Sequence, residues 1–521
     1  GCLAGTTPKQ TFDRLRKFEE ASRVPLSGMP VLQMKLPAAY TYFGQFVNHD
    51  ISAPVGDVVT RRGWTPAAGV IGTVDPPGLD RNRRGTPEII LQNFANEHET
   101  PLRLSSLYGD GPASADPEVR AMYEQDGKRF RLGQTRREPA SFFSDLMVDP
   151  KRVVHATGAP DIPRKDGKAL IADRRNDENL IISQLHLALM LLHNKAVAAL
   201  EPRFPDPAEC FRQARHLVTR HYHWLILNDY LPSLLSRKVL AQPLSRWPSR
   251  LTEPDRVPLE FTTAAFRFGH SMVGSAYDFN ANFGLNGRVS EDGATLEDLF
   301  AFTTRNNMQT DAVETLALPD HWVIDWNRMT RVLSQPASGQ PRPFGRAEQI
   351  DVNIARDMLN LVGDSDVAVH GSILFRNLMR GFHRRIPFGQ RLAAEYGIAP
   401  LTEAEVRDTL PDSPSPAPGK KGFRDTTADL GFLRETPAWL YFLCEARLHE
   451  KGERVGPTAS HIIADTIVGL IKLNPASLLN QDGGTWHPRH SELGAVDGKG
   501  LTTLRKLLMF AVKDTATPGA G

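Results

Sequence analysis

Cysteine is scarce: Cys2, Cys210 and Cys444 are the only three in 521 residues. Three scattered thiols build neither a disulfide framework nor a structural zinc site. They fit a reduced compartment, or a periplasmic protein without disulfides. An excess of one charge is missing too, because 62 Lys and Arg face 60 Asp and Glu for a net +2. The concentrated basic face of a nucleic-acid binder is therefore not expected. Long apolar runs are lacking. The longest, around Leu185 to Leu192, is interrupted by His186 and falls short of the ~18 residues that span a bilayer. No internal repeat and no leader can be read in the given chain, a trimmed leader stays open, and compartment and oligomeric state are left open with it. What remains, 40% hydrophobic and 23% charged residues, is the profile of a soluble globular protein.

The periodic stretches that are present are helical. Leu180, Ile181, Leu185, Leu189, Leu192 and Ala196 recur at three- and four-residue steps behind Asp177 and Glu178, an acidic helix start. Similar patterns run through Cys210 to Leu231, Ile354 to Leu361, Ser372 to Phe382 and His461 to Leu473, and Pro437 reads as an early-turn residue of a further helix. Alternating strand patterns are few and short. The expected class is mostly α: one large helical domain over 40–521, with residues 1–39 as an extension packed on it. Pro411 to Lys421 (PDSPSPAPGKK) reads as a flexible Pro/Ser-rich loop, and Gly72 to Gly85 as irregular chain.

Three segments carry residue types that do chemistry. In Tyr40 to Ser52, Gln45 and His49 are four apart and share a helix face, where a His beside an amide can move a proton; a half-buried structural His reads the same way. In Asp173 to Asn194, Arg175 and Glu178 are three apart ahead of an apolar helix, facing one cavity or forming a surface ion pair. His186 and His193, seven apart on that helix, read as core or interface histidines rather than metal ligands. In Ala265 to Val273, His270 sits among Phe266, Phe268 and Met272 with Arg267 three residues earlier. That sleeve suits a flat hydrophobic cofactor such as haem, and equally a core histidine. His216, His221 and His223 match no zinc spacing, and Lys420, Lys421 and Arg424 read as a solvated loop.

In this order the segments resemble the animal-type haem peroxidases of the peroxidase–cyclooxygenase superfamily, the family of myeloperoxidase, and especially its bacterial members. The likeness runs from about Tyr40 to Leu479 and takes in SSLYGD (Ser105 to Asp110), WVIDW (Trp322 to Trp326), NLMRG (Asn377 to Gly381) and TPAWLYFL (Thr436 to Leu443). It implies haem b as cofactor, His49 as the distal catalytic histidine with Gln45 beside it, Arg175 as the catalytic arginine, and His270 as the ligand of the haem iron. It further implies Glu178 as a residue able to form an ester with haem, Arg267 as partner of a haem propionate, and Asn377 as the acceptor for the second ring N–H of His270. The implied reaction reduces hydrogen peroxide through an oxoferryl intermediate and oxidises small aromatic donors or halides.

Four positions depart from the family pattern. The distal-face position matching a second ester-forming Asp holds Gln45, and Asn48 is also an amide, so at most the Glu178 ester is expected. Asn179 replaces the Met that bonds a haem vinyl in myeloperoxidase. Arg267 stands where fatty-acid dioxygenases of the superfamily carry a radical-forming Tyr; this disfavours that alternative, while His49 with Arg175 disfavours a non-catalytic haem-binding protein. The family's calcium site would use Asp50 and Ser105, but Arg103 occupies a loop position expected to be Asp. A cation there weakens an all-oxygen site, and an Arg103–Asp50 pair in place of calcium is the expectation.

Overall fold

The computed structural model describes residues 2–27, 32–52, 102–254, 257–303, 317–331, 345–359, 372–411, 421–481, 484–493 and 500–515. The 72–85 stretch and residues 412–420 of the Pro/Ser-rich loop lie outside them. The framework is helical, and its principal helices are α1 (Pro8–Ser27), α2 (Ala39–Ile51), α3 (Leu180–Leu200), α4 (Pro207–Leu225), α5 (Ile373–His383), α6 (Ala438–Glu450) and α7 (Pro457–Leu473). Strands among the described residues form four two-stranded antiparallel ribbons; the largest pairs Gln33–Pro37 with Arg346–Glu348, in the register Gln33↔Glu348. The mostly α expectation holds.

Polar caps fix where the helices begin. Asn179 accepts from the Ile182 amide to start α3, Asp206 from Glu209 ahead of Pro207 to start α4, and Ser372 from Phe375 to start α5. Pro437 is the residue that caps α6 from outside rather than a member of its first turn. The acidic start expected for α3 has another use. Asp177 makes a two-point pair with Arg164 at 2.7 and 2.9 Å, and Glu178 turns toward α2. Arg424, expected on a loop, lies in a short helix, Phe423–Asp429, with its Nε donating to Leu410 O.

α3 is apolar around its whole circumference, the mark of a helix surrounded by protein. It is long and apolar enough to cross a bilayer by length and composition, which corrects the reading that no such segment exists; 89% of that window is buried in the fold. α2 and α4 pack against it, and the Leu504–Ala511 helix covers another side. His186 and His193 are fully buried in α3, as expected of core histidines. The larger of two apolar clusters among the described residues extends from Leu3 to Ala511, drawing α1 onto α5 and α6 onto α7.

α4 widens at Ile226–Tyr230 into a π-turn before Leu231–Leu234 closes it. That turn places Tyr230 against α2, where a Cβ on Gly44 would run into the phenol. Ala gains about 1 kcal/mol of helix propensity over Gly, but overpacking a closed core costs about 1–3 kcal/mol. Gly44→Ala is expected to lower stability in urea denaturation, and adding Tyr230→Phe is expected to recover part of the loss.

Candidate functional site

α2 is the first wall of the site. Gln45 and Asn48 keep accessible surface, whereas its other residues are buried. Gln45 Nε2 donates to Glu178 Oε1 in a short contact, and Asn179 Nδ2 donates to Gln45 Oε1 at 3.3 Å. Gln45 therefore holds Glu178, not His49. The partner of His49 is Asn176, whose Oδ1 lies 2.9 Å from the ring Nδ1. Burial, reinforced by the Arg175 charge, holds the His49 imidazole down to about 3 from its usual 6.5; Asp173 and Asn176 pull the other way.

The second wall is the 3-10 turn Arg174–Asp177 with Glu178 and Asn179, which precedes α3 rather than belonging to it. Arg175 is fixed by Asp173, which accepts from its Nε at 3.0 Å and its Nη2 at 2.6 Å. The same guanidinium reaches the end of α2, donating to Ser52 O at 2.7 Å and His49 O at 2.9 Å. It meets carbonyls that a helix end leaves unpaired and puts positive charge at the negative pole of α2. Neither Asn176 nor Asp173 was singled out from the sequence, although both flank Arg175 within two residues.

The third wall, Ala265–Met272, is wound as a 3-10 helix. It packs against α2, α6 and α7, with Phe266, Phe268 and Met272 buried. Trp439 Nε1 of α6 donates to Arg267 O at 3.0 Å, and Arg267 Nε donates to Thr262 O at 2.7 Å. Asn377, on α5, brings its side-chain amide to 2.9 Å from His270 Nδ1, the expected pairing. Its direction differs from expectation. Arg380 Nη1 donates to Asn377 Oδ1 at 3.2 Å, so the amide nitrogen faces the ring. A histidine that binds iron through Nε2 carries its proton on Nδ1, and a half-turn of the Asn377 amide is needed to accept it. Arg380, three residues beyond Asn377 in NLMRG, is a buried site neighbour that the sequence reading passed over.

These walls fit a flat cofactor. His270 is deep enough for burial to press its basicity well below the usual value, yet it keeps accessible surface, as do Arg267 and Gly269 beside it. A Cβ on Gly269 would meet nothing within 4 Å. Open space thus borders Gly269, the chain neighbour of His270. The charges of Arg267, Arg380 and Arg376 also reach His270, a cationic border suited to the carboxylates of a porphyrin.

The Asp50 region corrects one expectation. Arg103 does not pair with Asp50: its Nε is buried without a partner among the described residues, and Arg215 donates to its carbonyl at 3.4 Å. Asp50 instead accepts from Leu104 N at 3.0 Å, from Ser106 N and Oγ at 3.1 Å, and from Ser105 Oγ at 3.5 Å. Leu102 and Leu104 take left-handed φ values of 61° and 56°, which turn these amides onto the carboxylate. Asp50 and Ser105 do meet, as the calcium reading required.

The animal haem peroxidase family model matches residues 102–318. Among curated proteins, heme peroxidase 2 of Caenorhabditis elegans is 30% identical over 43% of this chain and 30% of its own length. Peroxinectin A of Dictyostelium discoideum is 29% identical over 25% of this chain and 22% of its own, and human thyroid peroxidase 27% over 33% and 19%. The matches thus span less than a third of these relatives. Two solved structures share the fold across the chain. Peroxidase A from Dictyostelium discoideum superimposes with a TM-score of 0.57 at 16% identity, covering 96% of this chain and 89% of that one. A rice fatty acid alpha-dioxygenase gives 0.54 at 12% identity, covering 96% and 80%.

Burial that lowers the titration of His49 to about 3 has a consequence for pH. Lowering the folded-state value leaves His49 unprotonated on both sides of 6.5, so proton uptake by His49 is expected to remain efficient from pH 7 to pH 5. A rate of reaction with peroxide that falls with a midpoint near 6.5 would contradict this.

Proposed function

We propose that the chain, whose residues 102–318 match the animal haem peroxidase family model, belongs to the peroxidase–cyclooxygenase superfamily and is a haem-dependent peroxidase that reduces hydrogen peroxide and oxidises a small aromatic donor or a halide. The observation that carries the reading is the joining of His49 and Arg175 at the end of α2, opposite a turn that carries His270 next to Gly269 and its open space. A protein that only stores haem needs His270 and has no use for a neutral base beside a fixed cation.

When bound, the haem supplies the ferric iron that takes up peroxide and passes oxidising equivalents to the donor. His270 would hold the iron, with Asn377 against its other nitrogen and Arg267 and Arg380 beside the propionates. His49, neutral and held at Nδ1, takes a proton from peroxide at Nε2 and returns it to the leaving oxygen as water. Arg175, already locked by Asp173 and the α2 carbonyls, stabilises the negative charge that grows on that oxygen without having to reorient. Glu178 is the carboxylate that could anchor the ring covalently, since Gln45 and Asn48 are amides. That anchor is read by whether acidified organic solvent frees haem from Glu178→Gln but not from the wild type. Arg267 in the place of the dioxygenase tyrosine favours peroxide reduction over hydrogen abstraction from a fatty acid.

The reading is tested by mixing the haem-loaded protein with one equivalent of hydrogen peroxide and following the Soret band within milliseconds. A change in the band that a phenolic donor reverses is expected, and His49→Ala is expected to slow its onset about 10²-fold or more with haem content unchanged. A spectrum indifferent to peroxide contradicts the proposal.

A further inference from the structure

Behind His49 lies a chain of hydrogen bonds that the peroxidase reading does not use. Asn176 Oδ1 is 2.9 Å from His49 Nδ1, and Asn176 Nδ2 is 3.1 Å from Nδ1 of His186, one and a half turns into α3. Asn176 and His186 have no exposed surface and His49 has 6%. Bulk solvent therefore does not reach the pair, and an unmet bond at this depth costs about 1–3 kcal/mol. We infer that Asn176, oriented by His186, is a positioning residue that fixes His49 as its Nδ1–H tautomer and so makes Nε2 the basic atom.

The inference follows from the fixed senses of the groups. A carboxamide oxygen only accepts and its nitrogen only donates. With the nitrogen toward His186, that ring must offer a lone pair at Nδ1 and carry its proton on Nε2. With the oxygen toward His49, that ring must carry its proton on Nδ1. One amide orientation thus sets the protonation of two rings, one in α3 and one in α2, across the 174–177 turn. Turning the amide over would satisfy the same two contacts with both tautomers reversed, and Nε2 of His49 would then hold a proton and could not take one from peroxide. Both states match the senses of these two contacts; the recorded one makes His49 a base and leaves the His186 Nε2–H without an acceptor among the described residues. Other charges around the pair do not choose between tautomers but do affect protonation: Arg175, Asp173 and Arg267 act on His49, and Asp173 and Asp177 on His186.

The tautomers stand on the hydrogen bonds alone; that Nε2 acts on peroxide rests on the peroxidase reading. The test is therefore nitrogen-15 NMR of the full chain with labelled histidine, recorded without haem and again with diamagnetic zinc protoporphyrin bound. His49→Gln and His186→Gln assign the two rings by loss of their signals. Expected are a protonated Nδ1 on His49 and a protonated Nε2 on His186. The reversed pair, or a mixture of tautomers at His49, overturns the inference whatever the enzyme's activity. Asn176→Asp supplies a second readout. A carboxylate accepts from His49 but has nothing to donate to His186, and its charge favours the imidazolium, so the His49 titration is expected to move up by at least one pH unit. A carboxylate that leaves this titration unmoved shows that Asn176 is only packing. The expected tautomers in a protein that ignores peroxide would keep the inference and remove the peroxidase reading.

Discussion

Gln45, His49 and Asp50 stand on a helix buried on nearly all sides, where each unmet hydrogen bond costs about 1–3 kcal/mol. Their partners come from two distant parts of the chain. Glu178 and Asn176 arrive from the turn before α3, and the Leu104–Ser106 turn brings its amides to Asp50. Satisfying α2 therefore places both segments, and Arg175 completes the arrangement by meeting the carbonyls at its end. The catalytic geometry proposed here follows from a requirement of folding: polar groups of a dry helix must be paired, and the pairs bring a cation and a base together.

Two histidines of identical chemistry are separated by their surroundings. His49 is buried beside the Arg175 guanidinium, and the two together hold it as an uncharged base against the pull of Asp173 and the Asn176 amide oxygen. His270 lies among arginines and aromatic rings next to Gly269 and its open space, where it suits a metal that prefers neutral imidazole. The contact of α2 with the 265–272 turn sets the two walls against each other. A protein with the same histidines on mobile loops would have no means of keeping one as ligand and the other as base.

Much of this was legible in the sequence, for reasons of differing strength. α3, α4, α5 and α7 announce themselves through apolar periodicity, whereas the caps Asn179 and Asp206 are not singled out by it and emerge only in the fold. Gln45 and His49 share a face because a four-residue step on a helix leaves no alternative. Contacts across long sequence separations were less accessible. Asn176 looks like any polar turn residue until α2 is folded against it, and Arg103 looks like a partner for Asp50 until backbone amides prove to occupy that carboxylate. The 265–272 segment is wound as a 3-10 helix, which the sequence reading did not specify. The orientation of Asn377 depends on Arg380, a tertiary contact that periodicity does not encode.

The central claim is that His270 binds the haem iron while His49 faces it without binding. Titrating the purified chain, His270→Ala and His49→Ala with haemin, and recording the electron paramagnetic resonance of each ferric complex, tests it most directly. The account predicts one histidine-ligated high-spin haem per chain in the wild type and in His49→Ala, and loss of histidine ligation in His270→Ala. Histidine ligation that survives in His270→Ala and disappears in His49→Ala would contradict it.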